Sequence, residues 1–432
     1  MYLLVRRLLL FVVAFTLPLQ AFSLVETGFK MTPFKLATAL LLGVSALSFA
    51  RGRRRQPDPV TPWIAIFAVT YAVSAVQGFL RGVPPGPIIQ ASVTFYAILL
   101  YYLLISYVIV TREDLMAVLW GLVLGGAVSA FPSVFGLQET SRGRAHGLAG
   151  QANTFGISLV SVTVVAIALF MVSRSRIKRA VLTGVVAAAV GGIMLSLSRT
   201  AFVCSLAIWG FWLFRSGRID TLRYVVPAAL VLAGALLLAP STVFDRFDTM
   251  VDPARRARDG SIQGRLRQAE LGAKALLTNP LIGIGVLAYI PWANSQPEGR
   301  DVRNVIHNAY VGIAVDQGLL GLIPYLMILF LCWRLYGSTQ RMVRARRGLK
   351  DPVLTELGTL AMFLQLALFG SILSGLAGMA HKNKITWLLL SLAPVLYNFV
   401  KVRAEELQAG RVQEGEAPMF ETLRADAPSW SR

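Results

Sequence analysis

Apolar segments of membrane-spanning length recur along almost the whole 432-residue chain. A hydrocarbon core of roughly 30 Å requires about 20 helical residues. Only 15% of the residues are charged, against roughly 25% in soluble domains, and 55% are apolar. The pattern predicts an all-α polytopic membrane protein with about twelve transmembrane helices. The predicted spans lie near 8–24, 34–50, 61–80, 88–110, 114–136, 153–173, 180–197, 200–214, 224–240, 319–336, 354–376 and 385–400.

The stretch 180–214 contains 35 residues and a single charged residue, Arg199. One helix of that length would extend about 52 Å, which is too long for a single crossing. The stretch is therefore predicted to divide at Arg199, which then lies at the apex between spans seven and eight. Placing Arg at membrane depth costs roughly 2.5–3.5 kcal/mol unless it is paired. An interfacial Arg that reaches the water layer and an Arg that binds an anionic ligand are both compatible with this position.

The basic residues indicate the orientation, because cytoplasmic loops are enriched in Lys and Arg. With the N-terminus inside, the clusters 51–55, 174–179, 215–223 and 334–350 all fall on the cytoplasmic side, and so does the C-terminus. Residues 6–23 also have the layout of a signal peptide, so a cleaved first segment is the alternative to a retained first span.

The chain carries 42 Lys and Arg against 22 Asp and Glu, a formal net charge of +20. In a soluble protein this excess would indicate nucleic acid binding. Here most of it lies in predicted cytoplasmic loops, where it is an orientation signal against anionic lipid. We expect membrane lipids, and no nucleic acid, as partners.

The segment 240–318 departs from the helical-hairpin pattern as one long loop on the outer side, between spans nine and ten. Ser261 is predicted to cap an amphipathic helix near 262–278 that ends at Asn279–Pro280. Arg265, Gln268 and Gly272 lie on one stripe of this helix. Its predicted apolar face consists of Leu266, Ala269, Ala273 and Leu276. The chain is thus predicted to divide into helices 1–9 (1–239), the loop (240–318), helices 10–12 (319–400) and a solvated cytoplasmic tail (401–432).

His307 is the candidate base, since a neutral imidazole accepts a proton near pH 7. It lies where the long loop re-enters the membrane. Local hydrogen bonding at a helix end is the alternative role. His146, His307 and His381 lie in three separate predicted outer loops without the spacing of metal ligands, so we predict neither a metal nor another cofactor.

Several short motifs follow one another in order between residues 140 and 330. They are Arg144–Gly147 (RAHG) with Asn153, Leu197–Thr200 (LSRT), Gly264–Arg265, Asn279–Gly285 (NPLIGIG), His307–Tyr310 (HNAY) and Asp316–Gly321 (DQGLLG). Together with the span count and the place of the long loop, they resemble the O-antigen ligase and polymerase superfamily of bacterial envelope proteins. Two positions depart from the family pattern: Ala152 precedes Asn153 where many relatives have Pro, and Asp316 stands where Glu is common.

The resemblance implies a GT-C-type glycosyltransferase that takes a glycan from undecaprenyl pyrophosphate on the outer face. By position, Arg199 and Arg265 would bind the donor pyrophosphate, and His307 would deprotonate the acceptor hydroxyl. Such a reaction is metal-independent, and a single displacement inverts the anomeric centre. The substrate-binding residues predicted on the same outer face are Arg142, Arg144, Arg303 and Asn308.

These observations predict an O-antigen ligase of the bacterial inner membrane, acting at the periplasmic face on lipid A–core. A polymerase and a protein O-glycan ligase are alternatives with the same chemistry. A polytopic transporter or flippase is the alternative of another class. It is disfavoured because Asp316 and Glu356 are the only plausible acids within the spans, and coupled transporters usually keep such acids.

Overall fold

The computed structural model describes residues 2–19, 32–49, 58–137, 144–216, 260–297, 302–346, 348 and 350–409. Within these ranges the chain forms thirteen α-helices and two 3₁₀ turns, at Gly147–Ala149 and Ala380–Lys382, and no strand. The helices are α1 (Tyr2–Phe15), α2 (Pro33–Phe49), α3 (Thr61–Leu80), α4 (Pro85–Val108), α5 (Arg112–Val134), α6 (Ala152–Val172), α7 (Arg176–Leu195), α8 (Arg199–Ser216), α9 (Gly260–Thr278), α10 (Tyr289–Ser295), α11 (Ala309–Ala345), α12 (Pro352–Ser374) and α13 (Lys384–Gln408).

Eight of these helices are long and apolar enough to cross a membrane: α3 to α7 and α11 to α13. The predicted all-α polytopic architecture is confirmed. The shorter apolar helices α2 and α8 occupy the positions of predicted spans two and eight, and α1 overlaps only the first half of predicted span one. Predicted span nine, at 224–240, lies outside the described residues, so the count of twelve stays a prediction.

The start of α5 fixes the first helix to the bundle. Thr111 and Asp114 form a capping box in which each side chain accepts the other residue's backbone N–H. The buried Asp114 carboxylate also accepts a 2.6 Å hydrogen bond from Arg6 of α1. Because a buried charge is costly without a partner, this ion pair sets the register of α1 against α5.

Helix α11 is broken near its start at Gly318, which has a left-handed φ of 65°. A side chain there would clash with the Leu281 carbonyl. The segment before α10 packs into this break: Ile284 donates to the Val315 carbonyl at 2.7 Å, and Leu319 donates to the Pro280 carbonyl at 2.8 Å. The break therefore coincides with the predicted start of span ten at 319.

The same segment also contacts α3. The Val286 N–H donates to the Ser74 carbonyl at 3.0 Å, and the Ser74 hydroxyl donates to the Asp316 carbonyl. Gln77 adds a 2.8 Å hydrogen bond to the Gly283 carbonyl. The Ser74 hydroxyl thus supplies a donor to the Asp316 carbonyl beside the break in α11, and the other two hydrogen bonds hold the segment 283–286 against α3.

Helix α13 continues to Gln408, beyond the predicted end of the last span at 400. Arg403 is fully buried and donates a 2.6 Å hydrogen bond to Asp351, the residue that caps α12. Residues 401–408 therefore continue α13, where a solvated tail was predicted, and three of them, Arg403, Ala404 and Glu406, are buried. A buried ion pair, which the mixed charge pattern did not reveal, holds these last two turns of α13 onto the bundle.

Candidate functional site at one end of the bundle

The predicted division of the stretch 180–214 is confirmed by a break between α7 and α8. Helix α7 ends at Leu195 and α8 begins at Arg199. Leu197 adopts a left-handed φ of 47°, a strained conformation for a Leu side chain. Ser198 caps α8, because its hydroxyl accepts the Ala201 N–H at 3.3 Å. Arg199 therefore occupies the first turn of α8, partly exposed.

Arg144 holds this break in place. Its Nε donates to the Ser196 carbonyl at 3.0 Å, and its terminal nitrogen donates to the Asn153 side chain at 2.8 Å. The adjacent Ala145 N–H donates to the Leu195 carbonyl at 3.0 Å. The RAHG and LSRT motifs and Asn153 thus form one unit. Much of the donor capacity of Arg144, predicted to bind substrate, is used to fix the site backbone.

Helix α9 begins two residues before the predicted helix 262–278 and ends at the same residue, but its buried face differs from the predicted one. Leu266 is 61% exposed, and Ala269 and Ala273 are also exposed. The buried stripe contains Gln268, Leu271, Gly272 and Ala275. Gly272 allows this close packing, since a side chain there would clash with Val311 of α11. The predicted apolar face is wrong, because α9 packs against α11 along its own small and polar stripe.

Arg265 and His307 are brought together across this contact. Gln268 Oε1 accepts the backbone N–H of His307 at 3.2 Å, which fixes the His307 segment to α9. Burial of the His307 ring, together with the positive charge of Arg265, lowers the pKa of His307 below its usual 6.5. His307 is therefore neutral at pH 7, the form in which an imidazole accepts a proton.

Asn308 joins the start of α11 to the end of α12. Its side-chain oxygen accepts the N–H groups of Tyr310 and Val311, both at 3.0 Å, as an N-cap. Its amide nitrogen donates to the Leu376 carbonyl at 3.1 Å. The predicted substrate-binding role of Asn308 stays a prediction, since these contacts already explain its presence. Arg303 is exposed near His307 in sequence, and Arg142 lies outside the described residues.

Both units lie at the same end of the bundle. The Arg144 and Arg199 unit is built on the start of α6, because a side chain at Gly156 would clash with Ser196 and Ala201. The His307 unit is tied to the end of α12, whose partner is again α6. A side chain at Gly378, just after α12, would contact Ile157 of α6. The paired ends of α6 and α12 thus carry Arg199 and the His307 segment.

His381 lies beside this end but has other surroundings. It is 9% exposed, packs edge-on against the Tyr325 ring, and its carbonyl accepts the Trp387 indole N–H at 2.8 Å. Burial and the neighbouring Lys382 lower the pKa of His381 to about 3. Among the residues that the structure describes, no group of three or more His, Cys, Asp and Glu side chains is arranged to hold a metal ion.

Gln268 is the functional candidate that reasoning from the sequence missed. The sequence placed it on one stripe with Arg265 and Gly272, but assigned it no role. The sequence feature that could have identified Gln268 is its i, i+3 spacing from Arg265, which places both side chains on the same face of the helix. Only the packing of α9 on α11 shows that this stripe faces the His307 segment.

The helices and this end of the bundle define a multi-pass α-helical membrane protein with Arg and His side chains gathered at one end. Residues 184–326 match the family model described as O-antigen ligase, and this match confirms the predicted resemblance to the O-antigen ligase and polymerase superfamily. Arg199, Arg265 and His307 lie inside the matched segment, and Arg144 lies outside it. The family supports a ligase- or polymerase-type glycosyltransferase activity, with lipid-linked glycan and lipid A–core as general substrate classes. No curated protein matches the chain.

Proposed function

We propose that the protein is an O-antigen ligase. It transfers a glycan from undecaprenyl pyrophosphate to a sugar hydroxyl of lipid A–core, at the periplasmic face of the bacterial inner membrane. The observation that carries the proposal is the pairing of Arg265 with a neutral, backbone-anchored His307. The family match over the same residues supports this reading.

The proposed reaction is a single displacement at the anomeric carbon, with inversion. The acceptor oxygen forms the new glycosidic bond as its proton passes to the free imidazole nitrogen of His307. The bond between the anomeric carbon and the pyrophosphate oxygen breaks, and its electron pair leaves with undecaprenyl pyrophosphate. A positioned base of this kind contributes about 10²–10⁴-fold in rate.

Arg199 and Arg265 would bind the leaving pyrophosphate in this scheme. Guanidinium groups match phosphate oxygens bidentately, and hydrogen bonds to charged groups contribute about 1.5–3 kcal/mol each. The negative charge on the pyrophosphate grows as the bond breaks, so these contacts strengthen toward the transition state. Arg265 would have a second effect, because its charge keeps the neighbouring His307 in the neutral form.

The proposal is tested with the purified full chain, a lipid-linked glycan and lipid A–core. His307→Ala and Arg265→Ala should each abolish transfer while the protein still folds. Arg344→Ala, an exposed Arg in the last turn of α11, is the control and should retain wild-type transfer. Transfer that persists in the His307→Ala variant would contradict the assigned role of the base.

The same assay separates the alternative functions. Growth of the lipid-linked glycan in the absence of lipid A–core would indicate a polymerase, and transfer to a protein would indicate a protein glycan ligase. A transporter or flippase would move substrate across liposomes without forming any glycosidic product. Only appearance of the glycan on lipid A–core supports the ligase.

A further inference from the structure

A cavity lies at the end of α6 and α12 opposite to the candidate site. Its volume is about 1070 Å³, and it lies between the first turns of α5 and α12 and the connection from α6 to α7. Since α6 has 21 residues, this cavity is about 30 Å from the His307 end of the bundle. It shares no lining residue with the candidate site.

The rim of the cavity is basic. Arg174, Lys178 and Arg179 line it, and among the described residues no carboxylate forms an ion pair with any of the three. Arg179 is held in place by a 2.8 Å hydrogen bond from its Nε to the Ser173 carbonyl and by the Phe170 ring. Arg174 and Lys178 are exposed and available to a ligand.

The two acids that line the cavity are already neutralised. Glu356 accepts a bidentate pair of hydrogen bonds from Arg112, at 2.8 and 2.7 Å. Glu113 accepts a 3.1 Å hydrogen bond from Arg7. The cavity therefore presents a net positive charge from the connection 174–179, and an anion would complement it.

The walls of the cavity are apolar. They extend from the rim at Arg112 to Trp120 along α5, a depth of about 12 Å at 1.5 Å per residue. The larger apolar side chains that line it are Met116, Trp120, Leu169, Met171, Val172 and Val353, and Ala117 and Pro352 complete the apolar lining. A basic rim above apolar walls of this depth fits an amphipathic anion, with its charge at the membrane surface and its chains inside.

We propose that this cavity binds an anionic glycerophospholipid. The phosphate lies against Arg174 and Lys178, and the upper acyl chains lie along the Met116 and Leu169 walls. The connection 174–179 belongs to the loops that the sequence assigns to the cytoplasmic side, so the bound lipid comes from the inner leaflet, where anionic headgroups attract juxtamembrane basic residues.

The experiment measures lipid binding to the purified full chain by native mass spectrometry. Phosphatidylglycerol and phosphatidylcholine with identical acyl chains are compared on the wild type and on the Arg174→Ala/Lys178→Ala variant. The matched control is Arg176→Ala/Arg344→Ala, which removes two exposed charges from the same end of the bundle, outside the cavity lining. Ala117→Leu, which narrows the apolar walls, tests the acyl-chain part of the proposal.

The wild type should prefer phosphatidylglycerol, and the Arg174→Ala/Lys178→Ala variant should bind it roughly 30-fold more weakly. Binding of phosphatidylcholine should change little. Equal binding of the two lipids to the wild type, or an equal loss in the control variant, overturns the proposal. Displacement of the lipid by millimolar inorganic phosphate would also overturn it and would indicate a site for a free anion. An unchanged affinity in Ala117→Leu would remove the assignment of the walls to acyl chains.

Discussion

Gln268 offers the sharpest test of how the candidate site is built. Its side-chain oxygen accepts the His307 backbone N–H at 3.2 Å, and the side chain is 9% exposed. Gln268→Ala leaves this half-buried N–H without its partner. The net contribution of such a hydrogen bond is about 1 kcal/mol, and its loss should lower kcat about fivefold. KM for the lipid-linked donor should stay nearly constant, because Arg265 is retained.

Introducing a charge at position 268 gives a second measurement, which a purely structural role of Gln268 would leave unchanged. Gln268→Glu keeps an acceptor for the His307 N–H but places a negative charge near the imidazole. That charge should raise the pKa of His307, which burial and Arg265 hold below 6.5. The acidic limb of the kcat/KM profile should therefore move to higher pH, while kcat at pH 8 stays close to wild type.

The assay is glycan transfer by purified protein over a range of pH, with separate titrations of donor and acceptor. Gln263→Ala, an exposed residue of the same type on the same helix, is the matched control. The positioning role is refuted if Gln268→Ala leaves kcat unchanged, or if Gln263→Ala lowers it equally. An unmoved acidic limb in Gln268→Glu would show that His307 does not set that limb.

Three further predictions concern the proposed base, a buried neutral histidine and a buried ion pair. His307→Ala should reduce transfer by at least 10²-fold with little change in the thermal midpoint; a residual rate near wild type would exclude it as the base. His381 is protonated below about pH 6.5 in the unfolded chain but stays neutral in the folded chain, so acidification from pH 7 to 5 should lower the free energy of unfolding in detergent by about 2 kcal/mol. The His381→Phe variant should not show this loss. An identical pH dependence of stability in the variant would contradict the assignment. Arg403→Met should destabilise by about 3–5 kcal/mol, because Asp351 is left buried and unpaired; Asp351→Asn added to it should restore most of the loss in chemical unfolding, and equal stability of the single and double variants would refute this.

Much of the scaffold could be predicted from the sequence because apolar length is a strong signal. The predicted span 61–80 coincides with α3, and the division near Arg199 follows from the length of one apolar stretch. The end of α9 before Asn279–Pro280 was equally readable, since Pro does not continue a helix. These features depend on local sequence alone.

The features that sequence reasoning missed all depend on what lies opposite a residue. The apolar face predicted for α9 is exposed because its partner, α11, accepts Gly272 and Gln268 instead. Arg403 appeared to belong to a solvated tail because its partner, Asp351, is 52 residues away. Such partners are too far apart in sequence for a local pattern to reveal them. Hydrophobic periodicity alone therefore could not show which face of α9 is buried.

The break in α11 has a consequence for how such a site can change. Within the segments 279–285 and 315–321 the geometry is maintained by backbone groups, as in the Ile284–Val315 and Leu319–Pro280 hydrogen bonds, and the side chains that add to it, Ser74 and Gln77, belong to α3. Backbone groups are the same whichever side chain is present. Outward-facing residues of 279–285 and 319–321 are therefore free to vary without moving His307. Random mutagenesis should find this region permissive except at its closely packed glycines. A side chain would meet neighbouring backbone at Gly283, Gly285 and Gly318, and the Gln317 side chain at Gly321. Because backbone hydrogen bonds hold these segments together, point substitutions in them can change the acceptor preference while His307 keeps its position.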